Sequence, residues 1–361
     1  MLRLFVRRSD DVRYFSDDAA LELEGLRDGG PGWWLRGEGD TRDARDVAGV
    51  FSSTERSAVQ GYDIVVAAPR PVSILLALDP ANGGAVVDAH RASVASSIAY
   101  LEDRGLVVRA TRHGERVDEP ARWERIVSFT HGLNRHGEPH LHDHVLVGAR
   151  PEGSSNVLDG RSLFVHAAAA DALYRASLRH ELAERTPWTA WRSFQRVEHV
   201  AGLDEGYRSL WGGHHDGRGA KLHWRRDEAV ANWSKDLARF EPERMIDAPL
   251  RDRALLDEHS FAGALEGRHV VTRRDVVAAW ANAAVFGANP RQVESTIDRL
   301  YPQLTHSRGV REGTIGLREA RMTALVRERG ARPLHEVEFA RWHQRSRERS
   351  LSDRSLSDRS R

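Results

Sequence analysis

The chain has 361 residues, 40% of them hydrophobic, which is enough for one large domain or two ordinary ones. It contains no cysteine, so disulfides and thiolate metal sites are excluded and any metal must sit on His, Asp or Glu. Its 54 basic and 53 acidic residues nearly cancel, so net charge argues for no polyanionic partner. All the basic residues except Lys221 and Lys235 are arginine, whose planar fork suits phosphate, although the codon bias of a GC-rich genome is the simpler reading.

The elements follow in chain order. "LRLFV" opens as a short strand and "DDAALELEGL" reads as a helix. "YDIVVAAP" is a β-rich run ending at Pro69, with "PVSILLAL" after it. "AVVDAHRASVASSIAYLEDRG" has helical spacing, with Gly105 as its C-terminal stop. Three strand candidates come next, "LVVRATRHG", "RIVSFTHG" and "HLHDHVLVGA", separated by turn-forming residues. From Asp159 the character is helical. "SLFVHAAAADALYRASLRHELAERT" and "RRDEAVANWSKDLARF" are amphipathic helices. "VTRRDVVAAWANAAVFG" starts with a capping box of Thr272 and Asp275, and "NPRQVESTIDRL" starts with Asn as N-cap and Pro as first helical residue. The expected class is α+β, a central antiparallel sheet with packed helices and a helical C-terminal extension. The expected organisation is a catalytic half over residues 1–160 and a helical and loop half over 161–300. An extension over 301–345 and an Arg/Ser-rich disordered tail over 346–361 follow.

Apolar runs such as "SILLALDP" are too short to span a membrane. "MLRLFVRRSDD" lacks the apolar core of a secretory signal, so a cytoplasmic location without membrane insertion is expected.

The chemistry concentrates in "THGLNRHGEPHLHDHVLVG", residues 130–148, which holds five of the eighteen histidines within fourteen residues. His140, His142 and His144 fall at every second position and run into Val145-Leu146-Val147. A strand would therefore present them on one face, with His131 available from upstream. A lone histidine is most often a core or surface residue; this spacing favours a metal site. Spacing alone leaves two choices open, His131 with His142 and His144, or the pair His140 and His142. Asp63, at the start of a buried-looking strand, could fix the tautomer of a ligand histidine, or could equally be an ordinary strand-entry Asp. Tyr14 in "DVRYFSDD" reads, by itself, as a packing residue. Trp188, Trp191, Trp211, Trp224 and Trp233 are interleaved with arginines and could stack on bases, but more than half are expected in the core. The glycine-rich "LWGGHHDGRGAKLHW" is a loop or hairpin, in which His214 and His215 are taken as solvated.

Taken together, "GYDIVVAAPRPVSILLAL" resembles the G-x-D-x-x-F-S-A-P-K-S-V-S segment of conjugative relaxases of the MobF class, in the HUH endonuclease superfamily. "HGLNRHGEPHLHDHVLV" resembles that class's H-x-x-S-R…D-P-Q-L-H-T-H-V-V-V signature. "LDGRSLFVHAAAADALYRASLRHELA" is similar to the segment that follows it. The resemblance covers about residues 1–300 and is strongest over 61–185.

The resemblance implies metal ligands His131, His142 and His144, a catalytic Asp63 and a nucleophilic Tyr14. It implies DNA contacts at Arg70, Arg135 and Arg161. The cofactor it implies is a divalent ion, Mg or Mn, with Zn or Ni as further candidates. The partners it implies are single-stranded DNA at an origin of transfer, a coupling protein and a secretion apparatus. The reaction would be strand-specific nicking and rejoining through a 5′-phosphotyrosyl intermediate.

Three departures stand out. Tyr14 is a single tyrosine followed by Phe15 where the class carries tyrosine pairs. Arg70 and Pro71 replace Lys and Ser, and Asn134 replaces Ser. No phosphate-loop motif for a fused helicase is present. A replication initiator or transposase-like HUH nuclease, and a catalytically weak single-stranded-DNA-binding descendant, are the alternatives.

Overall fold

A computed structural model of the protein describes residues 1–9, 12, 15, 32–51, 58–79, 82–134, 136–188, 190–192, 198–200, 203, 210–211, 226–238, 261, 265–284, 287–304, 309–310, 313–316 and 320. The elements that build the site are β1 (Leu2–Arg7), β2 (Gly32–Arg36), α1 (Ala44–Ala48), β3 (Gly61–Ala67), α2 (Arg70–Leu78) and α3 (Gly83–Tyr100). They continue with the hairpin β4 (Val107–Arg112) and β5 (Glu115–Pro120), then β6 (Ile126–Leu133), β7 (Pro139–Gly148) and α4 (Gly160–Arg185).

Five strands form one sheet in the order β1-β3-β7-β6-β2, every neighbouring pair antiparallel. The expected α+β class with a central antiparallel sheet is the class observed. Side-chain alternation gives the sheet two unlike faces. Tyr62, Ile64 and Val66 of β3 and Leu141, Val145 and Val147 of β7 enter the main core with α2, α3 and α4. Along α4 the buried residues include Leu163, His166, Ala170, Leu173, Tyr174 and Leu178, the spacing of a helix with one face on a core. The opposite sheet face carries a smaller cluster of Val12, Phe15, Val47, Val50, Phe51, Val127, Phe129 and Leu146. Gly61 permits that packing, because a Cβ there would lie 2.5 Å from the Phe51 ring and 2.2 Å from the Val147 carbonyl oxygen.

Helix α3 ends in a π turn, Leu101–Gly105, at the Gly105 stop. "PVSILLAL" is helical, since Pro69 as N-cap and Pro71 in the first turn start α2 where their missing N–H groups cost nothing.

Among the strands with no signal in the sequence reading are β2 and β5. β2, "GWWLR", lies beside β6 at the sheet edge. β5, "ERVDEP", has only intermediate or exposed residues, so no apolar alternation marks it. His113 and Gly114 join β4 to β5 with φ of 52° and 83°, the positive pair that a two-residue hairpin turn requires.

Beyond α4, helix α5 (Arg226–Leu237) is followed by α6 (Arg273–Ala283) and α7 (Pro290–Leu300). The Thr272–Asp275 capping box and the Asn289 N-cap both form as their residues dictate. Arg273, 1% exposed, locks α6 to α7 through Glu294 at 3.1 Å and Asp298 at 2.9 Å. No helix among the described residues is long and apolar enough to cross a membrane. The helix read at "DDAALELEGL", most of the glycine-rich loop with His214 and His215, and residues 321–361 lie outside the described residues.

Candidate metal centre on the open sheet face

On β7 the residues His140, His142, His144 and Leu146 alternate onto the face away from the main core. Among the described residues, the small apolar cluster reaches along that face as far as Phe15, Phe129 and Leu146. Beyond it the imidazoles are left. His131 of β6 stands directly opposite His142, and Phe129 opposite His144. Ring centroids are 5.1 Å apart for His131–His142, 5.2 Å for His131–His144 and 5.3 Å for His142–His144. One nitrogen from each ring lies within 4.8 Å of the other two, a triangle sized for one cation.

Hydrogen bonds from the outer ring nitrogens orient two of these rings. His144 Nδ1 donates to both carboxylate oxygens of Asp63, each at 3.0 Å. His142 Nδ1 donates to the His140 carbonyl at 2.8 Å. Each bond commits Nδ1–H, so that the lone pair of the ring is on Nε2. Burial, followed by the neighbouring His131, His140 and His144, holds the His142 pKa well below its ordinary value, so the ring is neutral. Three convergent imidazoles, two of them with tautomers set from outside, form a donor set that fits a divalent transition metal.

His140 lies outside the triangle. Its ring centroid is 4.6 Å from that of His142, and burial first, then nearby positive charge including Arg70, lowers its pKa to about 4. Of the two sets that spacing left open, His131, His142 and His144 are the residues whose ring nitrogens converge.

Asp63 and the three histidines are therefore brought together. Tyr14 and Arg135 lie outside the described residues. Phe15, next after Tyr14 and 1% exposed, packs its ring 5.1 Å from His144 and 6.0 Å from Phe129, with the Arg7 guanidinium 5.1 Å from its centroid. Phe15 thus packs against the histidine triangle. Arg70 opens α2 beside the His140 end of β7. Arg161 is elsewhere, in a cavity with Arg109, Arg116, Asp118, Asp159 and Val310 near the start of α4. Of the five tryptophans, Trp188, Trp211 and Trp233 are buried, and their indole N–H groups donate to Asp79, Asp236 and the Gly137 carbonyl. They are core, as most of that group was expected to be. The side chains of Trp191 and Trp224 lie outside the described residues.

One polar cluster was not singled out in the sequence reading. Asp143, between His142 and His144, points to the other face and is fully buried. It accepts hydrogen bonds from Ser128 Oγ at 2.6 Å, Trp33 Nε1 at 3.1 Å and His90 Nε2 at 3.1 Å. His90 Nδ1 in turn meets the Tyr174 hydroxyl at 2.7 Å. Burial alone would raise the Asp143 pKa, but the bonds from His90 and Ser128 and the charges of His90 and Arg91 hold it at about 2. A signal did exist, because strand alternation places Asp143 opposite its two histidine neighbours.

The fold and the histidine triangle define an α+β domain of the HUH type. Residues 34–213 match the family model described as TrwC relaxase, and the chain carries a relaxase domain of the MobF class. It is similar to the solved copper-bound structure of the conjugative relaxase TrwC in complex with oriT DNA, with 19% identity and a TM-score of 0.54. The metal-bound and metal-free structures of that relaxase with oriT DNA match with 18% identity and TM-scores of 0.52 and 0.51. In each case the match covers 66% of this chain and 98% of the solved chain. No curated protein matches the sequence.

Proposed function

We propose that this domain nicks and rejoins a single DNA strand at a specific site, with Tyr14 as nucleophile and His131, His142 and His144 as ligands of a divalent ion. The observation that carries the reading is the convergence of three imidazoles, one backed by Asp63, on the sheet face that the Phe15 segment also meets. A divalent ion held there supplies positive charge to the non-bridging oxygens of a phosphodiester as negative charge builds in the transition state. The protein's own residues do the rest. Asp63 fixes the ring of His144 and keeps its Nε2 turned inward. The His140 carbonyl does the same for His142.

The Tyr14 phenolate oxygen attacks phosphorus. The P–O3′ bond breaks, the 3′ oxygen leaves and takes a proton as a hydroxyl, and the 5′ phosphate remains on the tyrosine. Because one phosphoester replaces another, the 3′ hydroxyl can attack in reverse and reseal the strand. One tyrosine suffices for that pair of steps. Phe15, buried where a second phenol would be expected from the class, contributes packing rather than a nucleophile. Arg161, with Arg109 and Arg116, meets phosphates farther along the strand. Origin-of-transfer DNA is the substrate by this reading, and conjugative transfer its context.

The deciding experiment incubates the protein with labelled single-stranded oligonucleotides from its own gene neighbourhood and a divalent ion. A protein-linked band that vanishes in Tyr14→Phe supports the reading. Its loss in His142→Ala with strand binding retained separates chemistry from recognition. No adduct with any oligonucleotide under Mg²⁺, Mn²⁺, Zn²⁺ or Ni²⁺ leaves a binding module instead and overturns the enzyme.

A further inference from the structure

We infer that Phe5 and Arg3 of β1 form a stacking platform for the single strand beside the metal centre, Phe5 taking the face of a base and Arg3 a backbone phosphate. The inference rests on the relaxase reading above. Strand register places the platform. Leu2 and Leu4 pack with the main core, so Arg3, Phe5 and Arg7 alternate onto the opposite face of the sheet. Arg7 shows the same direction, since its guanidinium lies over the ring of Phe15 in the open-face cluster. Phe5 stands directly opposite Asp63, whose carboxylate holds His144. Arg3 stands opposite Val65, which is itself opposite His144. Directly opposed side chains share a face, with Cβ atoms about 5 Å apart. Because β1 and β7 flank β3, the platform lies about 10 Å from the strand that carries His142 and His144. Neighbouring nucleotides of an extended strand cover that distance.

The composition of the surface points to its occupant. Phe5 is 49% exposed on the outermost strand of the sheet, and Arg3 is exposed on the same face. Edge strands are ordinarily blunted with charge. Arg3 and Arg7 supply that charge, whereas a half-exposed ring between them invites the association that the charge discourages. A ring flanked by guanidinium groups does suit a single nucleic-acid strand. Every base has a flat face to stack, and every nucleotide brings a phosphate for an arginine. The platform is also continuous with the histidine triangle through Asp63 and Val65 of β3. A strand whose reacting phosphate lies at the triangle therefore meets Phe5 and Arg3 as it leaves.

The test uses the Tyr14→Phe protein with EDTA present, so that the strand is bound and not cut. Its partner is the oligonucleotide that the wild-type chain cleaves, made as a series with one abasic nucleotide at each position around the cleavage point. One position is expected to weaken binding about tenfold. With Phe5→Ala added, that position becomes silent while the others keep their effects. Phe5→Trp restores the effect, and Phe5→Leu, apolar but without a flat face, does not. Arg3→Gln lowers the salt dependence of binding by about one counterion, and Phe5→Ala leaves it unchanged. Both variants are expected to melt close to their parent, because both side chains are exposed. The inference is overturned if Phe5→Ala leaves every abasic effect intact or changes all of them alike, or if Phe5→Leu binds as the parent does. It is also overturned if the DNA-free chain sediments as a dimer that Phe5→Ala turns into a monomer, since a second copy then occupies the surface. A wild-type chain that forms the adduct but shows no coupling to Phe5 sinks this inference alone, whereas a chain that forms no adduct sinks the relaxase reading with it.

Discussion

Strand β7 carries two polar clusters on its two faces, and they are built by opposite rules. Facing the helices, Asp143 is closed in by Ser128, Trp33 and His90, with Tyr174 behind, and every bond is answered within the protein. Facing away, His142 and His144 have their outer nitrogens answered by the His140 carbonyl and Asp63 while their inner nitrogens converge with His131. A satisfied network rigidifies a core; a convergent set of lone pairs awaits a ligand. Neighbouring residues of one strand thus do the two kinds of work, one on each face.

Breaking the open face should abolish function and spare the fold. His142→Ala is expected to lower the rate of adduct formation by about a thousandfold or more, the loss of a metal's several kcal/mol of transition-state stabilisation, read in single-turnover gels. Its melting temperature should change little. Breaking the closed face should do the reverse. Asp143→Ala leaves His90, Ser128 and Trp33 without their shared acceptor, and chemical denaturation should show a loss of about 3–5 kcal/mol. If the two variants had the same profile, the contrast between the faces would be wrong.

Acid sharpens the comparison from the closed side. His166 is fully buried on α4; its Nδ1 accepts from the Tyr100 hydroxyl at 3.1 Å and its Nε2–H donates to the Gly309 carbonyl at 2.9 Å. Burial lowers its pKa to about 4. The unfolded chain takes up this proton near pH 6.5 and the native chain only near 4, so between those values the unfolded state binds more protons. The contribution is fully present above about 6.5 and is lost as pH falls toward 4. In His166→Asn the slope of unfolding free energy against pH should shrink over that window by about one proton, or roughly 1.4 kcal/mol per pH unit.

The smallest effect concerns the brace behind the open face. Asp63→Asn keeps the size of the side chain and weakens its hold on the His144 tautomer. Titration with Zn²⁺ or Ni²⁺, followed calorimetrically, should give about 10- to 100-fold weaker binding with little change in stability. Affinity equal to wild type would make Asp63 an ordinary strand residue.

Much of this was legible beforehand, and the reasons are local. The H-x-H alternation requires only that "HLHDHVLV" be a strand, and its β-branched end makes it one. The caps of α6 and α7 are spelled in three or four consecutive residues. What escaped was nonlocal or unmarked. "GWWLR" joins the sheet because β6 offers it an edge. The cavity that Arg161 shares with Arg109 and Arg116 of the β4–β5 hairpin likewise depends on chain segments distant in sequence. That Trp188, Trp211 and Trp233 would be core was expected, but the partners of their indole N–H groups, Asp79, Asp236 and the Gly137 carbonyl, were not legible.

By itself the sequence determined the class of the fold, the histidines available and the side of β7 they share, because side-chain direction along a strand has a period of two. The tertiary structure alone decided that β7 lies between β3 and β6. That placement sets His131 across from His142 and sends Asp63 to His144, 81 residues away in the chain. Strand pairing over such separations is chosen by burying whole faces at once, and no short stretch of residues encodes it.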